Sequence, residues 1–144
     1  MLKRKIDKYL EEWKASANKK PLIVKGARQV GKTASIRYFG EKYYKYIVEI
    51  NFALQPKYKQ IFADGYEVDS IIKNITLLNP SLVVVPRETL LFFDELQEYP
   101  DCATSLKSFK QDGRYDVICS GSLMGLYYQQ IESNSVGYKT DYEM

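Results

Sequence analysis

Short stretches of this chain carry residues whose types and spacing can do chemistry. In Gly26-Ala27-Arg28-Gln29-Val30-Gly31-Lys32-Thr33, two glycines frame four residues and are followed by lysine and threonine, directly after the apolar segment Leu22-Ile23-Val24. That order suits a phosphate group. Glycines let the backbone curl until its N–H groups point inward, Lys32 supplies a cation for outer phosphates, and Thr33 offers a hydroxyl to a divalent metal such as Mg²⁺. A helix beginning at the end of the loop adds its free N–H donors and the positive end of its dipole. The bland alternative is a glycine-rich turn with no ligand.

Asp94-Glu95 closes the most apolar run of the chain, Leu90-Leu91-Phe92-Phe93. A carboxylate at the end of a buried strand is costly unless it is paired or bound to a metal, so Asp94 reads as a partner of Thr33 in holding Mg²⁺. Its structural alternative is a helix cap. Glu95, next door and pointing differently, suits a general base for a water that attacks a γ-phosphate; otherwise it is a solvated loop residue. Ser120-Gly121-Ser122 follows another apolar strand, Asp116-Val117-Ile118-Cys119. A hydroxyl there could hold the attacking water, and Ser120 is the preferred candidate over Ser122, against the alternative of ordinary turn chemistry. Cys119 reads as a buried structural thiol.

The elements that must position these groups follow from periodicity. Ile6, Tyr9, Leu10 and Trp13 recur at helical spacing, so residues 4–15 form an amphipathic helix whose stripe packs on the core; membrane or partner binding by this basic helix is the lesser reading. Residues 1–20 comprise this helix and a connector packed on the core, and 21–144 the core. Ile36, Phe39 and Tyr43 continue a helix after the loop, with Gly40 weakening or stopping it. Val48, Ile50 and Phe52 alternate with Glu49 and Asn51, which predicts a strand with one polar face near a sheet edge. Val68 to Leu78 is a helix closed by Asn79-Pro80, and Leu82 to Val85 is its continuation or a small strand. Pro100-Asp101 opens a helix carrying Ala103, Leu106 and Phe109 inward, and Asp112-Gly113 turns the chain. Leu123, Leu126 and Tyr127 belong to a short helical or irregular piece, a polar tract runs to Asn134 and Ser135, and Val136 to Met144 begins a last strand. Strands alternating with helices give an α/β fold with a mostly parallel sheet flanked by helices on both faces. Ligands in such sheets bind beyond the carboxyl ends of the strands, where all three polar stretches fall.

Composition removes other chemistries. A chain of 144 residues without histidine has no histidine triad and no histidine-containing zinc site. Its 2 cysteines are far apart in sequence and lack metal-ligand spacing, and no secretory or membrane-spanning stretch is visible, which points to a reducing cytoplasm and no membrane partner. A net charge of +3 spread along the chain does not by itself argue for nucleic acid. No mechanism attaches to the 13 tyrosines.

Together, Arg28-Gln29-Val30-Gly31-Lys32-Thr33, Asp94-Glu95-Leu96-Gln97, Ser120-Gly121-Ser122 and the amphipathic helix before the first strand resemble a family of bacterial and archaeal AAA+ ATPases, from about residue 4 onward. The resemblance implies a P-loop NTPase core with ATP and Mg²⁺ as its ligands. Lys32 and the loop from Gly26 to Thr33 match the phosphate contacts (Walker A), Thr33 and Asp94 the metal contacts, Glu95 the catalytic carboxylate (Walker B) and Ser120 the first sensor. It further implies an N-terminal fragment, truncated before a helical lid, a second sensor arginine and an arginine finger. Homo-oligomers, and DNA or protein partners engaged through C-terminal regions, are the expected company of such a protein.

Other readings remain beside the ATPase. A small-molecule kinase shares the glycine loop, but the adjacent Asp94-Glu95 speaks for water as the acceptor. A GTPase lacks its asparagine-lysine-x-aspartate run, since Asn18-Lys19-Lys20-Pro21 has no aspartate. A nucleotide-gated switch that binds DNA or protein with little turnover would draw on Lys42, Tyr43, Tyr44, Lys45 and Tyr46, where basic and aromatic residues interleave. The plainer account of that cluster is a solvated helix end.

Overall fold

A computed structural model of the chain describes residues 4–26, 31–122 and 128–144. The expectations for Ala27, Arg28, Gln29 and Val30, and for Leu123, Leu126 and Tyr127, lie outside the described residues. The elements run α1 Lys5–Ala15, β1 Leu22–Lys25, α2 Lys32–Tyr43, β2 Tyr46–Asn51, α3 Val68–Leu78, β3 Thr89–Asp94, α4 Leu106–Asp112, β4 Asp116–Gly121, α5 Tyr128–Ser135 and β5 Thr140–Glu143. Short 3-10 stretches cover Pro56–Phe62, Leu96–Glu98 and Pro100–Ser105.

The strands form one sheet in the order β2-β3-β4-β1-β5, and every pairing is parallel. Parallel neighbours need crossovers, and helices supply them, so both faces are covered. Alternation along each strand divides the core into two layers. Leu22, Val24, Leu90, Phe92 and Ile118 pack with Ile6, Leu10 and Trp13 of α1 and Ile36 and Phe39 of α2. The intervening Ile23, Leu91, Phe93, Val117 and Cys119 pack with α3, α4, the 3-10 stretches and Ile131 of α5. β3 is buried at every position, as its unbroken apolar run requires. β2 lies at an edge, with Val48 and Ile50 inward and Glu49 half-buried.

The α1 stripe joins the core. Ile6, Leu10 and Trp13 are buried, Tyr9 meets the Tyr142 ring edge-on at 4.4 Å, and the Trp13 indole N–H donates to the Lys20 carbonyl at 2.8 Å. Each buried aliphatic of this kind contributes about 1.5–3 kcal/mol. Among the described residues no helix is long and apolar enough to cross a membrane.

Several expectations change. Gly40 does not stop α2: it sits inside the helix, buried, where an added Cβ would come within 2.6 Å of Ile47 Cδ1 and 3.1 Å of Leu90 Cδ2. Its missing side chain lets α2 lie close on the sheet. Residues 82–85 are neither helix nor strand. The Asn79 side chain takes the Ser81 N–H and hydroxyl, and the Thr89 hydroxyl accepts from the Val85 N–H at 2.9 Å, so side chains satisfy this loop's backbone in place of a ladder. The helix expected from Pro100 opens as a 3-10 stretch before α4 begins. The polar tract before Ser135 is helix α5, fastened by the fully buried Ile131 and Ser135. Finally, β4 runs on through Ser120 to Gly121, so Ser120 lies within the strand rather than after it.

Candidate functional site

β1 ends at Lys25, where the chain enters the glycine loop, and α2 starts at Lys32. Lys25 is held by Glu132 at 2.9 Å and Asp141 at 3.3 Å, and Lys139 pairs with the same two carboxylates, tying the loop's entry to α5 and β5. Gly31, at the loop's exit, adopts φ +85°, a left-handed conformation that glycine enters without steric cost. A Cβ there would also come within 2.5 Å of Arg4 Nη1. Arg4 itself donates to the Ser35 hydroxyl at 3.2 Å, so the cap of α1 reaches the loop and the first turns of α2. The Lys32 ammonium spans the loop to donate to the Gly26 carbonyl at 2.8 Å.

The strand ends deliver the acidic groups. Asp94 follows the parity of Leu90 and Phe92, which places it on the α2 side of the sheet, and the Thr33 hydroxyl donates to its Oδ2 at 2.9 Å. Its other oxygen accepts the Glu95 N–H at 2.8 Å. Burial pushes the Asp94 carboxyl above its ordinary range; these two hydrogen bonds pull the other way, and the neighbouring Glu95 and Glu49 charges push further up. Buried and beside like charges, the Asp94 carboxylate is costly to ionise.

Glu95 stands at φ 58°, ψ 48°, left-handed for a residue with a side chain. Such a conformation costs about 1–2 kcal/mol. It lets β3 break straight into the 3-10 turn, with Leu96 fully buried in the opposite layer, and leaves Glu95 on the cavity wall. A cavity of about 260 Å³ lies between Gly31, Lys32, Thr33, Ala34, Asp94, Glu95 and Ser122.

Ser120 and Ser122 are placed differently. Ser120 pairs in register with Val24 and follows the parity of Ile118, so it lies on the α2 side with Asp94. It is fully buried, and its hydroxyl has no hydrogen-bond partner among the described residues. Ser122 forms the cavity wall, and its N–H donates to Gln97 Oε1 at 3.1 Å. The parts played by Arg4, Ala34 and Gln97 are not visible in local sequence order. Only the position of Gln97 within the Asp-Glu-Leu-Gln run could have drawn attention to it. The interleaved cluster from Lys42 to Tyr46 lies away from the site. Its Tyr44 is buried with its hydroxyl on Asp116, at the first position of β4, and the Tyr43 hydroxyl donates to Glu11 at 2.5 Å.

Comparison with known proteins decides the class. A family model described as AAA domain matches residues 18–144. The chain belongs to the AAA domain family. Its fold is shared with a solved structure titled Structure of Drosophila ORC bound to GC-rich DNA and Cdc6, at 12% identity and TM-score 0.54, covering 94% of this AAA domain and 53% of that chain. A structure of C. elegans PCH-2 matches at 14% identity and TM-score 0.48, covering 95% of this chain and 39% of that one. The AAA domain thus spans about half or less of the length of these structures. No curated protein matches it.

The residues present fit the ligands of such a domain. A lysine across the loop, a hydroxyl and a carboxylate in contact, and a buried serine on the same side whose hydroxyl has no partner among the described residues are of the types that fit a phosphorylated nucleotide and Mg²⁺. The cost of Asp94 yields a prediction. Its folded pKa lies above the unfolded one, so the folded state holds more protons between the two values; stability falls as pH rises through that window, and the penalty is complete above it. Asp94→Asn keeps an acceptor for the Glu95 N–H and a partner for Thr33. In thermal melts at neutral pH without ligands it is expected to be more stable than wild type, with the gap closing as pH falls. The same variant is expected to lose any stabilisation by Mg²⁺ added with nucleotide. A lower melting temperature for Asp94→Asn would contradict this account.

Proposed function

We propose that this AAA domain binds Mg-ATP and hydrolyses it to ADP and phosphate. The observation that carries the reading is the 2.9 Å hydrogen bond from Thr33 to Asp94, which joins a hydroxyl at the start of α2 to a carboxylate at the end of β3. That pair suits one coordinated Mg²⁺. Mg²⁺, when bound, would neutralise charge on the phosphates. Lys32 would turn from the Gly26 carbonyl to the outer phosphates. Glu95, on the cavity wall, would take the proton of a water attacking the γ-phosphorus as the bond to the bridging oxygen of ADP breaks, and would then return it to the phosphate. Ser120 would hold that water, its buried hydroxyl being the donor on the α2 side without another partner among the described residues.

The test of binding is calorimetry, with Mg-ATP and Mg-GTP titrated in turn against the protein. Mg-ATP is expected to bind at least tenfold more tightly. Heat from neither nucleotide would overturn the reading, and equal affinities would overturn the choice of base.

A further inference from the structure

Gln97 hydrogen-bonds both Glu95 and Ser122, the residue that follows β4. Its amide nitrogen donates to Glu95 Oε2, and its amide oxygen accepts the Ser122 N–H at 3.1 Å. The orientation of the amide follows from its partners: a backbone N–H can only donate, and an ionised carboxylate can only accept. A glutamine fits both where glutamate or lysine would satisfy one and repel or starve the other. The fit is also steric. A Cβ on Gly121 would collide with Gln97 Oε1 and would stand 3.1 Å from the Leu96 N–H nitrogen. β4 therefore carries glycine where the Gln97 amide crosses it.

We infer that Gln97 is a positioning residue for hydrolysis: it aims the Glu95 carboxylate and fastens it to the Ser122 end of β4, so that the base and the far cavity wall move as one unit. The Glu95 backbone is held, its N–H by Asp94 at 2.8 Å and its carbonyl by the Glu98 N–H at 2.9 Å, but these bonds do not fix the torsions of its side chain. A long, rotatable side chain there needs an external hold, and displacement of a catalytic group by about 1 Å costs on the order of 10²-fold in rate. The inference rests on the proposed role of Glu95 as base.

Three substitutions separate the possibilities in the full-length protein. Gln97→Met fills the same space without either hydrogen bond, Gln97→Glu keeps the acceptor for Ser122 but repels Glu95, and Gly121→Ala drives a methyl against the amide. Each is expected to lower kcat about 10- to 100-fold while Mg-ATP affinity, read by calorimetry, stays within about twofold and the far-UV circular dichroism is unchanged. Gly121→Ala combined with Gln97→Met is expected to be no slower than Gln97→Met alone, because both act through one contact. Wild-type kcat in Gln97→Met, with Glu95→Gln inactive, overturns the inference and leaves the role of Glu95 standing. Parallel losses of kcat and nucleotide affinity also overturn it, since they mark a structural role. Undiminished hydrolysis by Glu95→Gln overturns the assignment of the base and this inference with it.

Discussion

Glu95→Gln is expected to retain Mg-ATP and to release phosphate at least 100-fold more slowly than the wild-type protein. Removing a general base costs typically 10²–10⁴-fold. The substitution is nearly isosteric, leaves an acceptor for the Gln97 amide, and suits the left-handed backbone no worse than glutamate does. Its effect should therefore fall on kcat and leave binding alone, which single-turnover phosphate release paired with calorimetry would resolve. Phosphate formed by wild type without any acceptor separates an ATPase from a kinase at the same time. Equal turnover by wild type and variant would remove Glu95 from the mechanism.

Lys32→Ala is the second large effect, and its signature differs. The lysine donates to the Gly26 carbonyl at 2.8 Å and is itself buried, so the ammonium is held beside the glycine that opens the loop. Its loss removes a charge partner from both the bound nucleotide and the transition state. By comparison with the removal of one transition-state donor, kcat/KM should fall by about 2.7–4 kcal/mol. Unlike Glu95→Gln, the variant should also bind Mg-ATP weakly. The thermal shift produced by nucleotide would report it: at a hundredfold excess over Kd the wild type gains about 2.7 kcal/mol, and the variant little at the same concentration. A full nucleotide shift in Lys32→Ala would mean that the ligand sits elsewhere.

Much of this site was legible because its chemistry is written locally. Gly31, Lys32 and Thr33 are consecutive, and Asp94-Glu95 directly follows an apolar strand, so local order identified them as candidates. The same holds for α3, whose bounds Val68 and Leu78 are those of its periodic apolar run. What could not be read depends on contacts between distant residues. Gln97 meets Ser122 across 25 positions, and Arg4 meets Ser35 across 31. The helix at Tyr128–Ser135 escaped because it is polar outside Ile131, and its place is set by packing against Pro100–Ser105. Gly40 misled as a stop signal: glycine often ends a helix, but here α2 runs on to Tyr43 and the missing side chain serves close approach to Ile47 and Leu90.

The pleat of β3 gives the site a phase. Phe93 and Asp94 are neighbours in sequence but face opposite layers, Phe93 toward α3 and α4, Asp94 toward Thr33. Losing or gaining one residue inside this strand would exchange them, sending a carboxylate into an aromatic cluster and a phenyl ring against the hydroxyl. A change of two would restore the phase, and the loop at residues 79–88 lies outside this alternation. The alternation thus constrains this interior strand to even steps.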